Sequence, residues 1–311
     1  MIKNLAASVS RRASYGRGLE FALFAFIVWG INPLYFKMFG GLPPLLVVAH
    51  RTLWLLVMLV IGAVILKRVQ PVLAGLRQPR IVVALLGSGV LLAINWLVSF
   101  YAIESNRVLD SSFAYFISPL VAVLFGVLFL HESLRRWQWV GVALAVCGLG
   151  VTLLSSGWGQ ISWIPFVLAA TWGLYGVVRK TTNIDSYSGF LIENLFIAPI
   201  GLIWVIYSET HPDIPHLSEQ SGLVIFLVLN AGTITILPML AYGTALRLLP
   251  LAQMGILNYL SPLIQFLVAI SFFGERLDHH RLAAFVLVWV ALVLFTWDGY
   301  RHSRSLHGST I

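Results

Sequence analysis

The sequence predicts an all-α polytopic membrane protein, with ten transmembrane helices arranged as two inverted five-helix repeats. Three observations carry that prediction. Of 311 residues, 59% are hydrophobic and 10% are charged, whereas a soluble domain carries about 25% charged residues. The apolar residues fall into ten runs, each near the roughly 20 residues that cross a hydrocarbon core. A stretch from Phe116 to Glu132 also returns, 143 residues later, from Tyr259 to Glu275. Both copies contain Ser-Pro-Leu (Ser118, Pro119, Leu120 and Ser261, Pro262, Leu263) and end on a glutamate 13 residues after the proline. Aliphatic residues match by chance easily, but a registered Ser-Pro and a terminal acid do not.

In chain order the spans are expected near 19–38, 44–66, 81–103, 109–130, 138–155, 160–178, 187–207, 222–246, 251–273 and 281–298. Residues 1–17 read as a basic cytoplasmic tail. The apolar run behind them is too long for a signal peptide, contains Trp29, Asn32 and Pro33, and no cleavage pattern follows it. Residues 18–156 form the first repeat, 157–299 the second, and 300–311 a C-terminal tail. The connections leave no room for a soluble domain.

If the N-terminus is cytoplasmic, fifteen Lys and Arg residues fall on the inner side and four on the outer, with Arg51 inside span 2. That bias follows the positive-inside rule and places both termini in the cytoplasm. The net charge of +8 is therefore a topology signal, and no nucleic-acid partner is expected. The single cysteine, Cys147, forms no internal disulfide. No Walker loop or metal-ligand cluster is present, so no cofactor is expected.

The offset of 143 extends beyond the Ser-Pro motif. It places Trp29 and Gly30 on Trp172 and Gly173, Lys37 on Lys180, and His50 on Glu193; Tyr101 and Tyr242 correspond if two residues are inserted. Five spans per copy is an odd number, so the second copy lies upside down. Inverted repeats of this kind characterise secondary transporters that bind substrate near the midplane.

Candidate functional residues are polar groups at membrane depth. A cation at the bilayer centre costs roughly 2.5–3.5 kcal/mol even on the lenient insertion scale, so His50, Arg51 and Glu193 should face the bundle interior. Arg51 lies about 10 Å below the outer face and Glu193 about 9 Å from the inner, at 1.5 Å per residue. Within a core of about 30 Å the vertical gap is about 11 Å, which two long side chains nearly close. Either Arg51 meets an anionic group while Glu193 or His50 takes a proton or cation, or the pair is a structural lock, or Arg51 snorkels outward. Pro119 and Pro262 each displace a carbonyl near mid-membrane, at Tyr115 and Asn258, where only protein or a wet cavity satisfies it. Tyr115, Ser118 and Asn258 are read as cavity-lining, and Pro119, Pro262 and Pro238 as hinges. Asn32, Asn95, Trp96, Trp172, Tyr175 and Tyr242 add an aromatic, mildly polar surface suited to a small organic molecule. Spans 5 and 10 are expected at the periphery, bracing each half, and a monomer is favoured over a homodimer through them.

Together, the run from Trp29 to Lys37, His50-Arg51, Asn95-Trp96, the run from Tyr115 to Leu120, Tyr175 to Lys180, Ile192-Glu193 and Trp289 to Leu292 resemble the RarD branch of the EamA family. That family lies within the drug/metabolite transporter (DMT) superfamily. The resemblance covers residues 19 to about 300. It implies a bacterial inner-membrane permease of two EamA repeats working by alternating access, with helices 1, 2, 6 and 7 in one bundle and 3, 4, 8 and 9 in another. The expected function is secondary-active transport of a small metabolite or drug-like amphiphile. The alternatives are an integral-membrane enzyme using Glu193 and His50 as acid and base, or a channel.

Overall fold

The computed structural model describes residues 2–273 except 40–41, 105–107, 157–162 and 212, together with 286–287, 290–291, 293–294 and 297–298. Eleven α-helices and one 3-10 turn at Leu217–Glu219 are its elements up to Phe273, and the described residues from 286 to 298 are helical as well, without a strand among the described residues. The helices are α1 (Ile2–Lys37), α2 (Pro44–Ile65), α3 (Val69–Leu76), α4 (Pro79–Glu104), α5 (Val108–Leu130), α6 (Arg136–Ser156), α7 (Ile164–Thr181), α8 (Ser186–Glu209), α9 (Gly222–Leu248), α10 (Leu251–Leu257) and α11 (Leu260–Phe273). Predicted spans 1–8 correspond to α1, α2 and α4 to α9. The tenth span and the C-terminal tail lie mostly outside the described residues.

The surface is apolar where a soluble protein would be charged. Ile65, Val83 and Ile203 are 71%, 68% and 69% exposed, as expected where lipid rather than water is the neighbour. The stretches Leu45–Ile65, Pro79–Ser99, Ser186–Glu209 and Gly222–Leu248 are each long and apolar enough to cross a membrane.

Three elements depart from the sequence reading. The segment read as a tail is already helical from Ile2, because nothing before Gly16 breaks a helix. At 1.5 Å per residue α1 is about 54 Å long and outreaches any bilayer core. A short helix, α3, occupies the connection between spans 2 and 3. It follows a left-handed Lys67 (φ 54°), where Arg68 N donates to Ala63 O and Lys67 N to Val64 O, the hydrogen-bond pattern of a Schellman stop. Finally, span 9 is broken into α10 and α11 at Asn258 and Tyr259, where Pro262 removes the i+4 donor to the carbonyl of Asn258, which accepts from Ser261 N at 3.3 Å instead. Its counterpart Pro119 does not break α5, which runs continuously from Val108 to Leu130. The proline is repeated; the break is not.

The packing carries the two-fold relation directly. With α1 matched to α7, α2 to α8, α4 to α9 and α5 to α10–α11, each major contact has a mate. α1 packs on α9 as α7 packs on α4, α5 on α7 as α11 on α1, and α2 on α9 as α8 on α4. The contacts of α2 with α8 and of α5 with α10 map onto themselves. Close-approach glycines repeat the relation. A Cβ on Gly30 would stand 2.6 Å from Ile264 Cβ, and one on Gly173 would stand 2.9 Å from Val121 Cγ1; positions 121 and 264 are again 143 apart. In lipid, where hydrophobic burial drives no association, such backbone contacts hold helices together. Most of these contacts join the two bundles implied by the resemblance, so the bundles are interleaved rather than apart.

α6 and the tenth segment meet each other inside one chain. Arg135 Nε donates to Asp298 Oδ2 at 2.6 Å, Trp137 and Trp297 rings are 5.9 Å apart, and Ala145 and Ala291 share a buried cluster with Val123 and Ile256.

Candidate functional site

Two clusters form where the repeats meet. The first is aromatic. Trp29 on α1 and Trp172 on α7, equivalent in the two repeats, touch with ring centroids 5.5 Å apart, which places them beside the pseudo-two-fold axis. Tyr242 on α9 lies 5.2 Å from Trp172 and 5.4 Å from Trp29, and Tyr175 stacks on Trp172 at 5.5 Å. Phe26 closes the group against Trp29 at 5.8 Å. Edge-to-face and stacked pairs at these separations are favourable in their own right.

Tyr175 connects this cluster to a buried charge. Glu193 is fully buried on α8. Ser88 Oγ on α4 donates to its Oε1 at 2.5 Å, Tyr175 OH donates to Oε2 at 3.3 Å, and Arg179 Nε lies 3.5 Å from Oε1. Local structure explains the convergence. Tyr175 and Arg179 are four residues apart and share one face of α7. α8 starts at Asp185, whose carboxylate accepts from Tyr187 N at 3.1 Å and Ser188 N at 3.0 Å, and that cap starts α8 in the register that brings Glu193 inward. Arg179 Nη2 donates to Ser186 O at 3.2 Å, while its Nε and Nη1 lack hydrogen bonds. Gly189 is required here, since a Cβ would collide with the guanidinium.

Asp185 itself lies between spans. Its burial would lift the carboxyl, but hydrogen bonds from Ser188, the Arg68 charge and the Tyr187 N–H outweigh that and hold it below the ordinary 3.8. Arg68 Nη1 is 3.8 Å away.

Arg51, in contrast, does not reach Glu193. Its guanidinium lies 4.5 Å over the Trp96 ring and its Nε is buried without a hydrogen-bond partner. Of the alternatives the sequence left open, a direct Arg51–Glu193 pair does not form; Glu193 pairs with Arg179, whose guanidinium lies against Gly189 one turn earlier on α8. Sequence reasoning counted Arg179 as a loop cation and missed Ser88. The Tyr175/Arg179 spacing of four was the available signal. His50 Nε2 is likewise buried without a partner, and His50 is absent from the Glu193 hydrogen bonds.

The other candidates divide by role. Asn95 Nδ2 donates to Leu168 O and Thr171 Oγ1, both at 2.9 Å, tying α4 to α7. Asn258 caps α10, its N–H donating to Met254 O at 3.0 Å. Ser118, Pro119, Pro238 and Pro262 are buried and Asn32 is partly buried; the Tyr115 side chain lies outside the described ones. Tyr101, the sequence counterpart of Tyr242, is 45% exposed and stacks on Trp163 at 5.7 Å, so the aromatic cluster is asymmetric.

The glutamate ending the first Ser-Pro copy has a structural task. His131 is left-handed (φ 52°) and turns the chain so that Glu132 accepts from Leu251 N at 2.7 Å and Ala252 N at 2.9 Å. It thereby caps α10. Lys180 Nζ lies 3.8 Å from Glu132 and donates to Leu246 O at 3.1 Å and to Leu249 O, so one cation closes the ends of α5, α7 and α9 around the start of α10.

Comparison with known proteins agrees with this arrangement. The EamA-like transporter family matches residues 16–154 and again 160–297. The chain belongs to that family. An uncharacterized transporter of Pseudomonas aeruginosa is 35% identical over 94% of this chain and 98% of its own length. Protein RarD of Escherichia coli is 32% identical over 93% and 96%. A Pseudomonas aeruginosa protein named chloramphenicol-sensitive protein RarD is 29% identical, over 93% of this chain and 96% of its own length. A solved crystal structure superposes with a TM-score of 0.69 at 18% identity, over 93% of this chain and 98% of that one, and shows the shared fold. This RarD-type EamA protein is an integral membrane protein of the drug/metabolite transporter superfamily, and its relatives' names describe transporters.

Proposed function

We propose that the protein is a secondary-active transporter that moves a small metabolite or drug-like amphiphile by alternating access, its binding site at the interface of the two repeats. The observation that carries this reading is the meeting of Trp29 and Trp172 beside the pseudo-two-fold axis, within helix contacts that exchange under the repeat. Two mirror-related halves provide two arrangements of similar energy, one open to each side. Trp29, Trp172, Tyr175 and Tyr242 would receive the apolar part of a substrate, and Pro119, Pro238 and Pro262 would let their helices bend. The enzyme alternative is disfavoured because its acid, Glu193, is held by Arg179, Ser88 and Tyr175. We place the protein in the bacterial inner membrane with both termini cytoplasmic, on the positive-inside bias of its loops.

Purified protein in proteoliposomes, supplied with a metabolite mixture with and without a pH gradient, tests the proposal. The expected result is saturable uptake of at least one solute above protein-free vesicles. A folded protein giving no saturable flux under either condition overturns it.

A further inference from the structure

Among the described carboxylates that form ion pairs, each is already matched. Glu132 pairs with Lys180, Asp185 with Arg68, Glu193 with Arg179, Glu209 with His216 and Asp298 with Arg135. Arg51 is left over. It stands seven residues beyond Pro44, where α2 begins, about 10 Å along the helix at 1.5 Å per residue. Its only described polar or ring contact is the face of Trp96, and its buried Nε donates to nothing. A ring contact of this kind uses the cation's charge, and the buried Nε–H stays without an acceptor. The N–H edge of a guanidinium is the fork that binds a carboxylate or phosphate through two parallel hydrogen bonds. A cation kept at membrane depth without a counter-charge is costly, and such residues mark substrate paths.

The surroundings suit an amphiphilic anion. Trp96 packs against the same buried cluster as Trp29 and Trp172, and its neighbour Asn95 bonds to Thr171, next to Trp172. Trp96, under the Arg51 guanidinium, and the Trp29–Trp172 pair thus border one apolar cluster. Glu193, the obvious receptor for an amine, is occupied by Arg179.

We propose that the transported solute carries an oxyanion, carboxylate or phosphate, which docks on Arg51, while its apolar body lies against Trp96 and the Trp29–Trp172 cluster. This rests on the transporter reading. A lipid phosphate offers the same chemistry, and the experiment separates the two sources.

Proteoliposomes holding wild type, Arg51→Gln or Arg51→Lys receive an equimolar mixture of anionic, zwitterionic, neutral and cationic metabolites, with benzoate, phenyl phosphate and benzamide included. Size exclusion and melting temperature confirm that each variant is folded. The expected result is saturable uptake confined to solutes with a carboxylate or phosphate. It falls at least about tenfold in Arg51→Gln, as loss of a charge-assisted hydrogen bond gives, and partly returns in Arg51→Lys. Uptake led by neutral or cationic solutes overturns the inference. So does anion uptake indifferent to Arg51→Gln, which would assign Arg51 to lipid phosphate or to packing. If folded wild type transports nothing, the carrier reading fails instead. Quenching of tryptophan fluorescence by benzoate and phenyl phosphate, against benzamide, then decides the anion site: no saturable quenching by either anion overturns it.

Discussion

At the residue scale, the Arg179–Glu193 pair has side-chain exposures of 4% and 0%, so each charge depends on the other. Removing one member of a buried pair strands its partner and costs about 3–5 kcal/mol, whereas replacing both with apolar residues of similar size can be neutral. Arg179→Met should therefore lower the melting temperature in detergent sharply, and Arg179→Met with Glu193→Leu should recover much of the loss. An unchanged melting temperature in Arg179→Met would remove the structural role assigned to the pair. The Asp185 cap makes a second prediction. Asp185→Ala should cost about 1 kcal/mol through loss of the N-cap. Because the folded-state carboxyl lies below its ordinary 3.8, its contribution is present in full above that value and fades as pH falls through the lower folded value. The wild-type and Asp185→Ala stabilities should converge in acid and differ at neutral pH. Glu193 and Tyr175 were legible as polar residues inside spans. Arg179 was not, since an arginine beside Lys180 in the last turn of a helix ordinarily snorkels to the interface, and only the tertiary structure encloses its guanidinium between Ser186, Gly189 and Gly243.

At the element scale, α10 is held from both ends of its contact with α5. A Cβ on Gly255 would stand 2.7 Å from Pro119 O and 2.8 Å from Ala122 Cβ. Backbone cannot yield as a flexible side chain does, so Gly255→Ala should destabilise by about 1–3 kcal/mol. Gly87→Ala, with nothing within 4 Å, should be neutral or slightly stabilising, because glycine inside a helix is unfavourable. Equal melting temperatures for the two variants would refute the close approach. At the N-terminus of α10, Glu132→Ala should free two backbone N–H groups and the Lys180 charge together, and Glu132→Gln should retain part of the stability. The Ser-Pro echo was visible in sequence, but its consequences differ between copies. Pro119 sits in a continuous helix and Pro262 follows a broken one, and periodicity cannot tell them apart.

At the scale of the whole molecule, a carrier must open at each end in turn, which the two ends of the bundle allow to be tested. Tyr15 OH accepts from Gln253 Nε2 at one end, and Tyr35 OH donates to Leu227 O at the other. With Cys147 replaced, cysteine pairs at 15/253 or at 35/227, too far apart for a direct disulfide, should each abolish flux when bridged by a short bis-methanethiosulfonate reagent and restore it on reduction. Flux that persists with either end locked would exclude alternating access. The inverted duplication behind this prediction was determined by sequence alone. A 17-residue echo at fixed offset, together with an odd number of apolar runs in each copy, requires opposite orientations in a bilayer, since each run must cross it once. Sequence also settled the helical class, because lipid leaves backbone groups no partner but their own helix. Only the tertiary structure decided which charges meet. α2, which carries Arg51, packs on α8, yet Glu193 meets Arg179; the pairing depends on the depth and azimuth of each side chain, and an apolar run carries little information about azimuth when every face is apolar. For the same reason Arg51 was visible as a charge in the membrane, but its lack of a carboxylate partner became visible only once the helices were packed.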